Sequence, residues 1–172
     1  YHDSLTGLYN YRYLMEEKNR IMLFILMFFI IGFLMKVAGE IIHEVIGHGF
    51  FIILFGNKIS HVHISWLWPY KLSYITWEGY FDYYQSVWVY AGGILMCLIV
   101  SFSIQLLLIL KLVKNWILAS AMLWLSFWTF LSSSGYLIVG GINTFGDVEK
   151  LIKLDVLTPF SSIFLGLVLF VI

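Results

Sequence analysis

Charge is what this chain has least of: 12% of its 172 residues are Asp, Glu, Lys or Arg, against about 25% in a soluble domain. With 61% hydrophobic residues and a mean hydropathy of +0.90, that scarcity excludes an ordinary soluble domain and indicates a membrane protein. Neither sign is in excess, ten Lys plus Arg facing ten Asp plus Glu. No basic block occurs either, so nucleic acid is not expected as a partner. A single cysteine, Cys97, excludes an intrachain disulfide and leaves the redox compartment open. No G-x-S-x-G nucleophile elbow and no phosphate-cradling glycine loop is found. The run "SSSG", Ser132 to Gly135, reads as a polar patch for helix packing.

What is present in quantity is apolar sequence. The first run, Ile21 to Phe55, is longer than the roughly 20 residues that cross a bilayer. "KVAGE" is a poor turn, so one long, locally broken helix is expected rather than a hairpin. Gly56 to Ser86 is rich in Ile, Val, Trp, Tyr and Thr with alternating stretches, the pattern of short strands or an interfacial segment. Val87 to Leu110 and Trp116 to Val139 are each long enough to span, joined by "KLVKN". The polar stretch "GGINTFGDVEKLIKLDVLTP" follows, and Phe160 to Ile172 opens another apolar helix. The fold expected is all-α and polytopic, with a short β-like segment after the first membrane helix. About four membrane helices are expected, the last truncated, so that the sequence reads as a fragment incomplete at its carboxyl end. Orientation does not follow: Arg12, Lys18, Arg20, Lys111 and Lys114 fall on one side, against Lys58, Lys71, Lys150 and Lys153 on the other.

Within the first run, Lys36, Glu40, His43, Glu44 and His48 crowd into thirteen residues. A charged group at bilayer depth costs about 2.5–3.5 kcal/mol on insertion scales unless it is paired or hydrated. Pairing could account for part of the cluster, Lys36 with Glu40 and Glu44 with His48, each at i,i+4, with His43 bonded to backbone. Zinc could account for more: it takes His nitrogen and carboxylate oxygen, three protein ligands in a catalytic site. In "HEVIGH", His43 and His48 would be two of them and Glu44 the general base. The spacing opposes this in a regular helix, where residues five apart stand roughly 140° from one another. One i→i+5 turn absorbs the extra residue, and Gly47, lacking a Cβ, eases the distortion. A helix irregular between His43 and His48 is therefore predicted.

"HEVIGH" resembles the H-E-L-L-G-H motif of the dipeptidyl peptidase III family, in which both histidines bind zinc. A longer stretch, roughly residues 35 to 155, is similar in its order to the site-2 protease family of intramembrane zinc metalloproteases. "HEVIGHGF" is followed by the strand-like "NKISHVHI", then "YAGGILMCLI", then "GGINTFGDVEKL". That resemblance implies His43, His48 and Asp147 as zinc ligands and Glu44 as base. It departs from the family in the longer histidine spacing, in Gly93 where a proline is usual, and around Asp147, where Asn143 is the remaining match. Glu78, Asp82, Glu149 and Asp155 are rivals for the third ligand, and "GDVEKLIKL" also reads as a capped amphipathic turn. His61 and His63, two apart on a strand, form a weak metal pair. Residues Asp3 to Glu17, "DSLTGLYNYRYLMEE", resemble the opening helix of GGDEF diguanylate cyclase domains, without the loop that gives those domains activity.

These readings divide the chain into a soluble amino-terminal segment, residues 1–20, and a membrane-embedded metalloprotease-like domain, residues 21–172. The expected function is zinc-dependent endopeptidase chemistry in or beside the lipid bilayer, on membrane protein or peptide substrates. The strand-like "ISHVHISW" would hold the substrate extended. The alternative is a catalytically inactive membrane scaffold or binding protein whose polar cluster stabilises helix contacts.

Overall fold

The computed structural model describes residues 2–66 and 72–171, with side chains described from residue 15 onward. The first apolar run is one continuous helical rod. It comprises α1 (His2–Ile41), a π-helical segment (Ile42–His48) and α2 (Gly49–Leu54). The irregularity thus lies at the histidine motif, beyond "KVAGE".

The antiparallel pair β1 (Lys58–His63) and β2 (Tyr74–Glu78) follows, with a bulge between Ile59 and His61. Ile75 of β2 is buried with Ile52 of α2 and Val89, so the hairpin is pinned at the carboxyl end of the first rod. His61 and His63 both lie against the Tyr74 ring, with centroids at 5.9 and 5.2 Å. The remainder of the expected strand-like stretch, residues 67–71, lies outside the described residues.

Helix α3 (Tyr83–Ile109) begins at a reciprocal cap: Gln85 N–H donates to Asp82 Oδ1 at 2.8 Å, and Asp82 N–H donates to Gln85 Oε1 at 3.2 Å. The cap bears on two rivals for the third ligand: Glu78 ends β2 and Asp82 caps α3, so these two, four apart in sequence, do not share a helical face. The return rod comprises α4 (Trp116–Phe130), a second π-helical segment (Leu131–Gly135) and α5 (Tyr136–Asn143). Asn115 starts it, its Oδ1 accepting from Ile117 and Leu118 N–H at 3.0 Å each.

Apolar burial cannot hold helices together in lipid, so polar and close-packed contacts matter more. Ser101 Oγ donates to the Ser126 carbonyl at 3.0 Å, and Ser126 Oγ returns to the Ser101 carbonyl at 3.3 Å, joining α3 to α4. Trp128 Nε1 donates to the Gly32 carbonyl at 2.9 Å, joining α4 to α1. Three helical rods, Met15–Leu54, Tyr83–Ile109 and Trp116–Asn143, are long and apolar enough to cross a membrane. The fourth expected crossing corresponds to α7 (Pro159–Val171), whose 13 residues rise about 20 Å, short of a hydrocarbon core of about 30 Å.

Helix α6 (Gly146–Lys153) turns back toward the first rod. Thr144 and Gly146 both adopt left-handed φ, 49° and 59°, and together reverse the chain in a space where glycine is the low-strain choice. Val148 and Leu151, at i,i+3, are buried with Ile94 of α3 and Leu137 of α5. Glu149 pairs with Lys153. This amphipathic docking carries the neighbouring Asp147 to the first rod.

Gly47 lies inside the π segment and has a further task there. A Cβ there would lie 2.5 Å from Gly93 Cα and 2.9 Å from the Gly92 carbonyl oxygen, so Gly47 lets the π segment and α3 touch backbone to backbone. Gly47→Val is therefore expected to destabilise the fold by about 1–3 kcal/mol through overpacking, with or without metal. The thermal midpoint of metal-free protein in detergent checks this; an unchanged midpoint would contradict the close contact.

Candidate metal centre

The π segment changes where the histidines point. Gly49 N–H donates to the Glu44 carbonyl, an i→i−5 bond, which is the irregularity the His43–His48 spacing predicts. His43, Glu44 and His48 are all buried, at 7%, 7% and 4% exposure. Their ligand atoms lie within 4.8 Å of one another.

Asp147 completes the group from α6. Its Oδ2 is 3.1 Å from His43 Nε2 and 3.2 Å from His48 Nε2, so one carboxylate oxygen meets both rings. Burial pushes the Asp147 carboxyl up, but the charge of His48 and the hydrogen bonds from both rings outweigh it and hold the group well below the usual carboxylate range. Glu44 lies at the edge of this group, its Oε2 at 3.9 Å from His48 Nε2, farther than the Asp147 oxygen.

The other ring nitrogens are engaged behind the site. His48 Nδ1 lies 2.6 Å from the Val89 carbonyl oxygen, so Nδ1 donates there and Nε2 is the nitrogen turned to Asp147. His43 Nδ1 is 3.7 Å from Cys97 Sγ, a softer contact of the same kind. Metal-binding histidines are held in this way, the rear N–H bonded and the front nitrogen free.

Whether zinc fits can be judged from the donors and the space. Ligand atoms about 2.1 Å from an ion at tetrahedral angles stand about 3.4 Å apart, close to the two nitrogen–oxygen separations here. An ion pair accounts for those separations as well. Gly93 adds a point that an ion pair does not require: a Cβ there would lie 2.6 Å from His43 Nε2 and 2.8 Å from His48 Nε2. The space beside both front nitrogens is thus kept clear by the missing side chain. Two imidazoles, one carboxylate and a clear flank suit zinc with a further position for water.

The pairing expected without metal is present in part. Lys36 Nζ is 3.4 Å from Glu40 Oε1 and donates to the Ser65 carbonyl at 3.0 Å. His43, however, turns to Asp147 rather than to backbone. Among the rivals, Glu149 is taken by Lys153, and Asp155 sits in a left-handed turn after α6. Asp147 is no N-cap: Phe145 holds that position, and the Asp147 side chain faces the histidines.

A cavity of about 920 Å³ opens onto these residues. Glu44, His43, His48 and Asp147 lie in its wall, and Trp128 and Phe33 line the apolar portion. Its sheet wall is β2, through Tyr74, Ile75 and Trp77, whereas of "ISHVHISW" only Trp66 reaches it. The strand facing the site is thus the second of the hairpin, not the expected first. Tyr136 also lines the cavity, and sequence reasoning passed over it because a tyrosine in an apolar run carries no spacing signal. No protein-family model, curated protein or solved structure matches the chain.

Proposed function

We propose that this protein is a multi-pass membrane zinc endopeptidase that hydrolyses peptide bonds of membrane-associated substrates in or beside the bilayer. The observation that carries the reading is the meeting of His43 and His48 Nε2, across the π turn, at one Asp147 oxygen, with the Glu44 carboxylate farther off at 3.9 Å from His48 Nε2. His43, His48 and Asp147 would hold the ion. Bound zinc supplies a Lewis acid that polarises the substrate carbonyl and makes water a nucleophile near neutral pH.

The chain's own groups supply the rest. Glu44 takes a proton from the attacking water and returns it to the departing amine. The Val89 carbonyl and Cys97 Sγ hold the two rings in register from behind. The apolar cavity wall receives the flanking side chains of the substrate and excludes bulk water. An extended peptide can lie along the β2 side, where its carbonyls are not hidden in helical hydrogen bonds.

The test is elemental analysis of protein purified in detergent without chelators. About one zinc per chain is expected in the wild type, falling to a small fraction in Asp147→Asn, since an amide is a poor zinc donor. A wild type without zinc, unable to take it up on titration, contradicts the reading. Retention of full zinc affinity by Asp147→Asn removes Asp147 from the ligand set.

A further inference from the structure

We propose that Tyr136 is a catalytic residue of this reaction, its phenolic O–H hydrogen-bonding the substrate carbonyl oxygen as negative charge develops there. The inference rests on the zinc-endopeptidase reading.

Tyr136 opens α5 directly after the second π segment. Its ring is held edge-on by two neighbours, His43 at 5.6 Å and Phe145 at 5.3 Å between centroids. Its oxygen accepts the Asp147 N–H at 3.2 Å and fills the space beside Gly146 where a side chain would stand. The hydroxyl is thereby fixed next to a proposed ligand. Accepting that bond occupies a lone pair and leaves the phenolic hydrogen uncommitted. Among the described residues no hydrogen bond is donated by this hydroxyl, and the residue lines the cavity beside His43, Glu44 and Asp147.

An oxyanion formed here has two carboxylates for neighbours, Glu44 and Asp147, so a fixed donor on its side matters. Two lysines line the same cavity: Lys36 is engaged by Glu40 and the Ser65 carbonyl, and Lys150 is an exposed residue on α6. Tyr136 is neutral, pre-positioned and needs no reorganisation, which is what stabilises developing charge in a water-poor site.

In the step, the water oxygen bonds to the carbonyl carbon as Glu44 takes its proton, and the C=O π pair moves onto the carbonyl oxygen. Tyr136 hydrogen-bonds that oxygen without giving up its proton. When the pair returns, the C–N bond breaks and the proton on Glu44 passes to the amine.

Tyr136→Phe tests this with three readings. Expected are wild-type zinc content, a kcat for a membrane-peptide substrate lowered about 10²–10³-fold with KM little changed, and a comparable loss of affinity for a phosphinic peptide, whose tetrahedral oxyanion mimics the intermediate. A variant as active as wild type overturns the proposal. So does loss of zinc in parallel with activity, because Tyr136 would then only position Asp147. Should the variant not fold, the structure of wild-type protein bound to the phosphinic peptide decides. The Tyr136 oxygen is expected within hydrogen-bond distance, about 2.7 Å, of a phosphinate oxygen; a hydroxyl turned away from it overturns the assignment. If the wild type neither hydrolyses the substrate nor binds the phosphinic peptide, the zinc-peptidase reading itself fails and this inference with it. Activity in the wild type undiminished in Tyr136→Phe overturns this inference alone.

Discussion

Replacing Gly93 with Ala is expected to empty the metal centre, taking zinc from about one per chain to near zero. The added Cβ would sit 2.6 Å from His43 Nε2 and 2.8 Å from His48 Nε2, inside carbon–nitrogen contact distance of both proposed ligand atoms at once. Both rings would have to turn, because α3 cannot be displaced freely: Gly93 is itself in backbone contact with Gly47. Alanine is a better helix former than glycine by about 1 kcal/mol, so the metal-free variant should keep its fold while losing its ion. Zinc stoichiometry and the thermal midpoint of metal-free protein, measured together, separate these effects. A Gly93→Ala protein with wild-type zinc affinity would show that the two Nε2 atoms are not the ligands.

Glu44→Gln is expected to leave zinc in place and lower kcat by about 10²–10⁴-fold. Glutamine keeps the size of the side chain but cannot accept the proton of the attacking water. Glu44 Oε2 is 3.9 Å from His48 Nε2, farther than the Asp147 oxygen at 3.2 Å, so its loss should leave metal content unchanged. Zinc analysis and a hydrolysis assay on the same preparation check the point. Simultaneous loss of zinc would make Glu44 a ligand and require another base.

Much of the fold was legible because its signals are local. Apolar runs mark the three long rods, and the change of composition after Gly56 marks the hairpin. The five-residue interval between His43 and His48 pointed to a bulge or break there, since in regular winding the two rings face apart, and the segment is π-helical. Asp147 was reached through a resemblance in the order of segments and through its place beside Gly146 after the membrane hairpin, signals that only weakly set it apart from Glu149 two residues on. What separates them is their partners once Val148 and Leu151 are buried: Asp147 meets the two histidines and Glu149 meets Lys153. Tyr136 and Gly93 were illegible as site residues for the same reason. Their roles depend on which helix lies opposite, and a composition-based reading contains no such apposition. Gly47 shows the converse: its local permissiveness was plausible, but its neighbour across the helix interface sets the constraint.

The extra residue in "HEVIGH" also acts on the rest of its rod, as a phase shift. Upstream, Phe29, Phe33, Lys36, Glu40 and His43 descend one side of α1 along the cavity. Downstream, His48 faces the same cavity and Ile52, four residues on, docks against the hairpin and α3. A uniform helix could not align both stretches, because the interval of five rotates everything beyond it by about 100° relative to an interval of four. Deleting Ile46 would produce the commoner H-E-x-x-H spelling and at the same time turn the Lys36–Glu40 pair away from Ser65. The one-residue excess is thus a coupling between two halves of one helix, and neither half can be reset to regular winding without rotating the other out of its contacts.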